Sequence, residues 1–184
     1  MSSLPGGKRI GVAEGQFTVP DDFDADNPLI EKLFNVELDW PVTDPLADEW
    51  ALLGLANRYA QAVDRRNADA LAALFTEDGG LDRPGASWRG HEQLRGIVAR
   101  LNTIYDTTFH TVRNQTVTID GDQAEGETYC VAMHMMPLAD GIQKRMDMGI
   151  RYQDRFVRQN GTWLFARREL IVDWVENTEL AAEA

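Results

Sequence analysis

Asp64, His110 and Tyr59 are residue types from which proton transfer can be built without a metal or a cofactor. An imidazole is the usual general base near neutral pH. A buried carboxylate on its other nitrogen fixes the tautomer and stabilises the imidazolium once a proton has moved. A phenol such as Tyr59 can donate to a developing enolate oxygen. Such parts serve enolisation, elimination or isomerisation. Asp64 follows Tyr59-Ala60-Gln61-Ala62-Val63 at the end of a helical pattern, where the helix dipole disfavours a negative charge; Arg65 and Arg66 stand next to it as compensation. His110 opens a strand-like segment and, taken alone, reads first as a hydrogen-bonded core histidine. His134 shares its strand face with Ala132 and Met136, so a buried imidazole there needs a polar partner or a function.

The elements that must position these groups can be read from periodicity. A long helix starts at Asp44-Pro45, the carboxylate capping and the ring sitting where no N–H is needed. Its apolar stripe is Leu46, Trp50, Leu53, Ala60 and Val63, widened by Leu52, Leu55 and Tyr59. Asn67 caps a second, short helix from Ala68 to Phe75, which Gly79-Gly80 brings to an end. Leu81-Asp82 and Ser87-Trp88 flank a turn at Arg83-Pro84-Gly85-Ala86, and a third helix follows from Gly90 with Leu94, Ile97, Val98, Leu101 and Ile104 on one side. Four strands complete the chain: Phe109 to Ile119, Gln123 to Met136, Ile142 to Arg158 and Thr162 to Val175, with hairpin signals at Asp120-Gly121 and Asn160-Gly161. Three helices followed by an antiparallel meander, with a small strand pair between the helices, make an α+β class with segregated elements. A long curved antiparallel sheet packed on helices can enclose an apolar cavity.

Composition sets the outer bounds. The chain has 184 residues, 43% of them hydrophobic, which fits one core domain over residues 43–176, an acidic arm over 1–42 and a tail over 177–184. The single cysteine, Cys130, excludes an internal disulfide, and no apolar stretch follows Lys8 and Arg9 as a secretory leader would require. A cytoplasmic location is therefore expected. The formal net charge of −12 disfavours nucleic acid and anionic membranes as partners. An uncharged or weakly charged organic substrate is the easiest to reconcile with it. No metal site is expected, because His91, His110 and His134 stand alone in sequence, and in a strand His134 points away from Met133 and Met135. Gly6, Gly7, Gly11 and Gly15 lack the preceding strand and following helix of a dinucleotide loop.

Read together, the segments resemble a known family. Tyr59 to Asp64, then Leu74-Phe75-Thr76-Glu77-Asp78-Gly79, look like the opening of the scytalone dehydratase-like, or SnoaL-like, branch of the nuclear transport factor 2-like superfamily. Thr108-Phe109-His110 followed by Asn114 matches its "T-x-H…N" strand, Asp154 to Trp163 its last hairpin, and Asp173-Trp174 a common ending. The resemblance covers about residues 45–175 and implies a curved sheet around a deep cone, capped by helices, in an α+β barrel. It implies that Asp64 and His110 form a catalytic dyad, and that His134 falls near a second histidine of scytalone dehydratase. Tyr59 stands five residues before the Asp, as a tyrosine does in bile-acid dehydratases, and Tyr152 falls where scytalone dehydratase has a pocket polar group. Hexachlorocyclohexane dehydrochlorinase is similar in its dyad. A homotrimer is implied as well. No counterpart for the second carbonyl-polarising tyrosine of scytalone dehydratase is found, since Leu81 and Asp82 lie near that point. The expected function is a cofactor-independent lyase removing water from a hydroxylated cyclic ketone or enone, with a hydroxysteroid as leading substrate. The alternatives are an isomerase or dehydrohalogenase on the same dyad, or a non-catalytic small-ligand-binding protein. Phe75, Trp88, Phe109 and Met133 are candidates to line the cone, and each reads equally well as core packing.

Overall fold

The computed structural model describes residues 45–137 and 142–181. The arm over 1–42, with its short Leu29 to Phe34 piece, and the Asp44 cap lie outside the described residues. Helix α1 (Pro45–Asp64) buries Leu52, Leu55, Ala56, Tyr59, Ala62 and Val63, a stripe with steps of three and four. Leu46 and Trp50, expected on the principal stripe, are 71% and 76% exposed. The helix carries two interleaved apolar rows, and packing selected the one centred on Leu55 and Tyr59.

The end of α1 is closed by backbone geometry. Asn67 N–H donates to Ala62 O at 2.9 Å and Arg66 N–H to Val63 O at 3.1 Å, with Arg66 left-handed at φ 56°. This is the paired closure of a Schellman motif, here without a glycine. The non-glycine left-handed residue costs about 1 kcal/mol, and it sits two residues from Asp64. Asn67 Oδ1 then accepts from Ala70 N–H at 3.0 Å and starts α2 (Ala68–Ala72).

Strand β1 (Phe75–Arg83) replaces the expected end of α2, and β2 (Ala86–Arg89) returns beside it. Gly79-Gly80 does not stop the chain but lies inside β1. A Cβ on Gly79 would come within 2.9 Å of Phe165 O, and one on Gly80 within 2.6 Å of Trp88 O. The register of β1 against β6 shifts between Phe75 and Gly80, so the glycines permit a bulge with close backbone approach. Helix α3 (Gly90–Ile104) follows and packs on β1 and α2.

The remaining strands are β3 (Thr107–Asp120), β4 (Gln123–Met135), β5 (Ile142–Gln159) and β6 (Thr162–Ala181). The β5–β6 turn uses Asn160 at φ 51° and Gly161 at φ 76°, the pair of positive angles that a two-residue turn of this hand demands. All the described strands form one six-stranded sheet in the order β2-β1-β6-β5-β4-β3. It differs from a pure antiparallel meander in one respect: β1 runs parallel to β6. Strand β6 continues through residues 177–181, where a tail was expected. The ladder stays open at β2 and β3. The register of β5 against β6 shifts at Gly149/Ile150 and at Arg155/Phe156, and bulges of this kind bend long strands. One buried cluster joins α1, α2, α3 and one face of the sheet, from Leu52 and Leu71 to Leu94, Ala132, Ile150 and Phe165. No described helix is long and apolar enough to cross a membrane.

Candidate active site

Asp64 leaves the last turn of α1 where α1 lies against β3. Its Oδ1 is 2.6 Å from His110 Nδ1, and its Oδ2 accepts from the His110 backbone N–H at 2.8 Å. Thr108 Oγ1 donates to Oδ1 at 2.9 Å, and Arg66 Nη1 in turn donates to Thr108 Oγ1 at 2.6 Å and to Val63 O at 2.8 Å. The guanidinium thus meets the helix C-terminus and the hydroxyl that holds the carboxylate, offsetting the unfavourable dipole. Burial pushes the Asp64 carboxyl up, but the side-chain bond to His110, the charge of that ring, the His110 backbone N–H and Thr108 together hold it below the ordinary value. An ionised Asp64 accepts the Nδ1 proton, which leaves Nε2 with the lone pair. The side chains of His110 and Asp64 are only 7% and 19% exposed.

His110 borders an apolar cavity of about 290 Å³ between α1, α3, the β1–β2 hairpin and the inner sheet face. Tyr59, Trp88, His134 and Tyr152 line it as well. His110 pairs across the ladder with Ala132, and the small side chain leaves room for His134 two residues along, whose ring centre is 5.9 Å from that of His110. Tyr105, which ends α3, packs against His134 with ring centres 4.7 Å apart and planes tilted by 51°. Burial, and then the neighbouring His110, push His134 down to about 4, so it is neutral at pH 7.

Three of the candidates to line the cone lie elsewhere. Phe109 precedes His110 in β3, and successive side chains point to opposite faces; it is 59% exposed on the outside. Phe75 is buried in the core, with ring centres 6.4 Å from Tyr59 and 5.1 Å from Phe165, and does not line the cavity. Met133 is not among the lining residues either.

Beneath the cavity floor lies a group the sequence reading missed. Arg168 Nε and Nη2 donate to the two oxygens of Asp154, each at 2.7 Å, and their side chains are 1% and 0% exposed. Thr128 Oγ1 donates to Asp154 at 3.2 Å and accepts from Gln115 at 2.9 Å. The guanidinium carbon lies 4.4 Å from the Tyr59 ring centre and 4.1 Å from that of Tyr152. Burial raises the Tyr59 phenol to about 12, with Arg168 opposing, and carries Tyr152 well above its ordinary value. Both phenols therefore stay protonated as donors. The two rings pack edge to face at 5.7 Å, and their hydroxyls influence each other without a well-formed hydrogen bond.

Asp154 was legible, since it shares parity with Tyr152 and Phe156 along β5. Arg168 was not. Simple alternation from Phe165 turns Arg167 inward, but Phe156 pairs with Phe165 while Arg155 pairs with Arg167. Ala166 is the extra residue of a bulge, and beyond it the inward set becomes Arg168, Leu170 and Val172. Thr108 was legible by its parity with His110. Tyr105 carried no signal beyond its place after α3.

Two buried atoms on the cavity wall, His134 Nδ1 and the Tyr152 hydroxyl, have no hydrogen-bond partner among the described residues. Buried polar atoms are rarely left so, and the backbone of Met146 and Ala132 lies near enough to the His134 ring to influence it. No cluster of His, Cys, Asp or Glu suited to a metal ion occurs among the described residues. A wider depression of about 390 Å³, lined by residues such as Thr118, Glu125 and Arg155, contains neither Asp64 nor His110.

Comparison with known proteins agrees with this architecture. An uncharacterized protein of Mycobacterium tuberculosis is 26% identical over 125 residues, 67% of this chain and 84% of its own. Among solved structures, a candidate scytalone dehydratase from Novosphingobium aromaticivorans superposes with a TM-score of 0.66 at 22% identity, covering 75% of this chain and 92% of that one. A hexachlorocyclohexane dehydrochlorinase superposes with a TM-score of 0.67 at 21% identity, covering 77% and 95%. At these identities the likeness shows the fold: the curved six-stranded sheet is the cone of the nuclear transport factor 2-like superfamily. The model of the SnoaL-like domain matches residues 44–169, and the chain belongs to that family.

Proposed function

We propose that the cavity eliminates water from a hydroxylated cyclic ketone or enone, with a hydroxysteroid as the leading candidate substrate. The observation that carries this reading is the 2.6 Å contact between Asp64 and His110 Nδ1 at the wall of an apolar cavity. His110 Nε2 removes a proton from a carbon made acidic by the carbonyl. The electron pair forms the new double bond as the C–O bond to the hydroxyl breaks. Protonated His110 returns the proton to the departing oxygen, which leaves as water, so no oxidant or reductant is consumed. Tyr59, held protonated by burial, donates to the carbonyl oxygen as negative charge develops. His134 is neutral at pH 7 and therefore orients the substrate through a ring nitrogen rather than supplying the proton. Tyr152 offers a second hydroxyl from the floor. The fold carries elimination chemistry in the dehydrochlorinase named above, which supports an enzymatic reading for this member.

The test is incubation of the full chain with a panel of cyclic hydroxy ketones, hydroxysteroids included, with mass spectrometry for loss of one water. Conversion by the wild type that disappears in His110→Ala is the expected result. A product of unchanged mass with a shifted double bond would reassign the dyad to isomerisation. Ligand-induced thermal stabilisation without conversion across the panel would leave a binding protein.

A further inference from the structure

The cavity wall has a polarity that the net charge of the chain hides. The sequence carries 30 Asp and Glu against 18 Lys and Arg, yet no carboxylate of the described residues lines this cavity. Among the described residues its permanently charged lining side chains are two arginines, Arg83 and Arg100. Most arginines of the described residues sit in ion pairs with Asp or Glu, as Arg89, Arg151, Arg158 and Arg168 do. Neither Arg83 nor Arg100 forms one among the described residues.

Burial orders the cavity from floor to mouth. Tyr59, Tyr152 and His134 are buried, whereas Arg83, Pro84, Arg100 and Ile104 are exposed. The two guanidinium groups therefore belong to the rim. Arg83 is presented by the turn after β1, with its guanidinium carbon 5.8 Å from the ring centre of Trp88, itself a lining residue. Arg100 stands on α3, the helix that packs on β1. A guanidinium fork matches the oxygens of a carboxylate or phosphate and stays charged at any working pH. At physiological salt charge beyond roughly 8 Å is largely screened, so an oxyanion at the rim responds to the charges close by, the two lining guanidinium groups among them.

We propose that Arg83 and Arg100 are specificity residues that bind an oxyanion carried by the substrate at the end remote from its reacting carbons. The substrate class is an amphipathic ring ketone: an apolar ring system against Trp88 and Met148, and a carboxylate or phosphate at the mouth. This rests on the dehydratase reading for which end of the substrate enters first. It revises the uncharged substrate that the net charge alone favours.

The test measures binding, which separates it from the question of turnover. Calorimetry on the full chain would compare a 3-oxosteroid bearing a side-chain carboxylate, its methyl ester, and the phosphate monoester of the corresponding alcohol. The carboxylate or the phosphate is expected to bind about fivefold to tenfold more tightly than the ester at low salt, and the stronger of the two identifies the anion. The preference should shrink as salt rises. In Arg83→Gln with Arg100→Gln it should vanish while affinity for the ester stays within about twofold; Lys at both positions should retain part of it. Equal binding of both anions and the ester, a preference untouched in the Gln variants, or no binding by any of the three would overturn the proposal. An intact anion preference without dehydration would overturn the dehydratase reading alone.

Discussion

Asp64 and Asp154 each hold a nitrogen base at nearly the same distance, 2.6 Å to His110 and 2.7 Å to Arg168, but the two regions behave differently. Asp154 and Arg168 are sealed, at 0% and 1% exposure, and Arg168 keeps its proton because the paired carboxylate outweighs the burial that would strip it. That pair is a fixed charge beneath the tyrosines. Asp64 meets an imidazole instead, at a cavity wall, where the ring is placed to act as a base. The same carboxylate chemistry gives a girder in one place and a candidate base in the other. What differs is the partner's affinity for its proton and its access to the cavity.

Removing the base tests the dyad most severely. His110→Ala should lower turnover of a converted hydroxy ketone by about 10²–10⁴-fold, with circular dichroism unchanged; near-normal initial rates would reduce the dyad to a structural contact. Breaking the sealed pair should be felt in stability rather than chemistry. Arg168→Met leaves Asp154 buried and unpaired, and urea denaturation should show a loss of about 3–5 kcal/mol. Adding Asp154→Leu should recover most of that loss. If the double variant is no better than the single, the pair does more than neutralise itself.

Acidification sharpens the contrast further. His134 is near 4 in the folded state against an ordinary 6.5, so the unfolded chain binds the extra proton between those values. Stability therefore rises with pH through that window and is lost as pH falls from 6.5 to 4, by up to about 3 kcal/mol. His134→Gln should flatten this part of the curve in pH-dependent melts; an unchanged slope would place its cause elsewhere. Asp64 acts lower and more weakly. Its carboxyl is depressed in the folded state, so its contribution is present above the ordinary value of 3.8 and disappears as pH falls through the lower folded value. Asp64→Asn should remove that acid-limb loss and reduce turnover less than His110→Ala does.

Much of this organisation is written locally. The helices α1 and α3, the Asn67 cap and the Asn160-Gly161 turn are short-range features, and the structure forms them where the pattern placed them, although the expected principal stripe of α1 is not the row it buries. The long strands were legible for the same reason. Gly79-Gly80 misled, because glycine ends a helix or admits a bulge with equal ease, and only the neighbouring strands decide. The parallel pairing of β1 with β6 joins residues about ninety positions apart, which no local pattern encodes.

Apart from β1, the sequence by itself determined the element types, and with them the turns and the parity that places Thr108 and His110 on one face and Phe109 on the other. Tertiary structure alone decided which of two apolar rows of α1 is buried, that Asp64 meets His110 across 46 positions, and that a bulge at Ala166 turns Arg168 rather than Arg167 inward. The reason is one of range. Capping, helix periodicity and hairpin turns are settled within a few residues, whereas burial and ion pairing depend on which distant surfaces meet when the sheet bends over the helices.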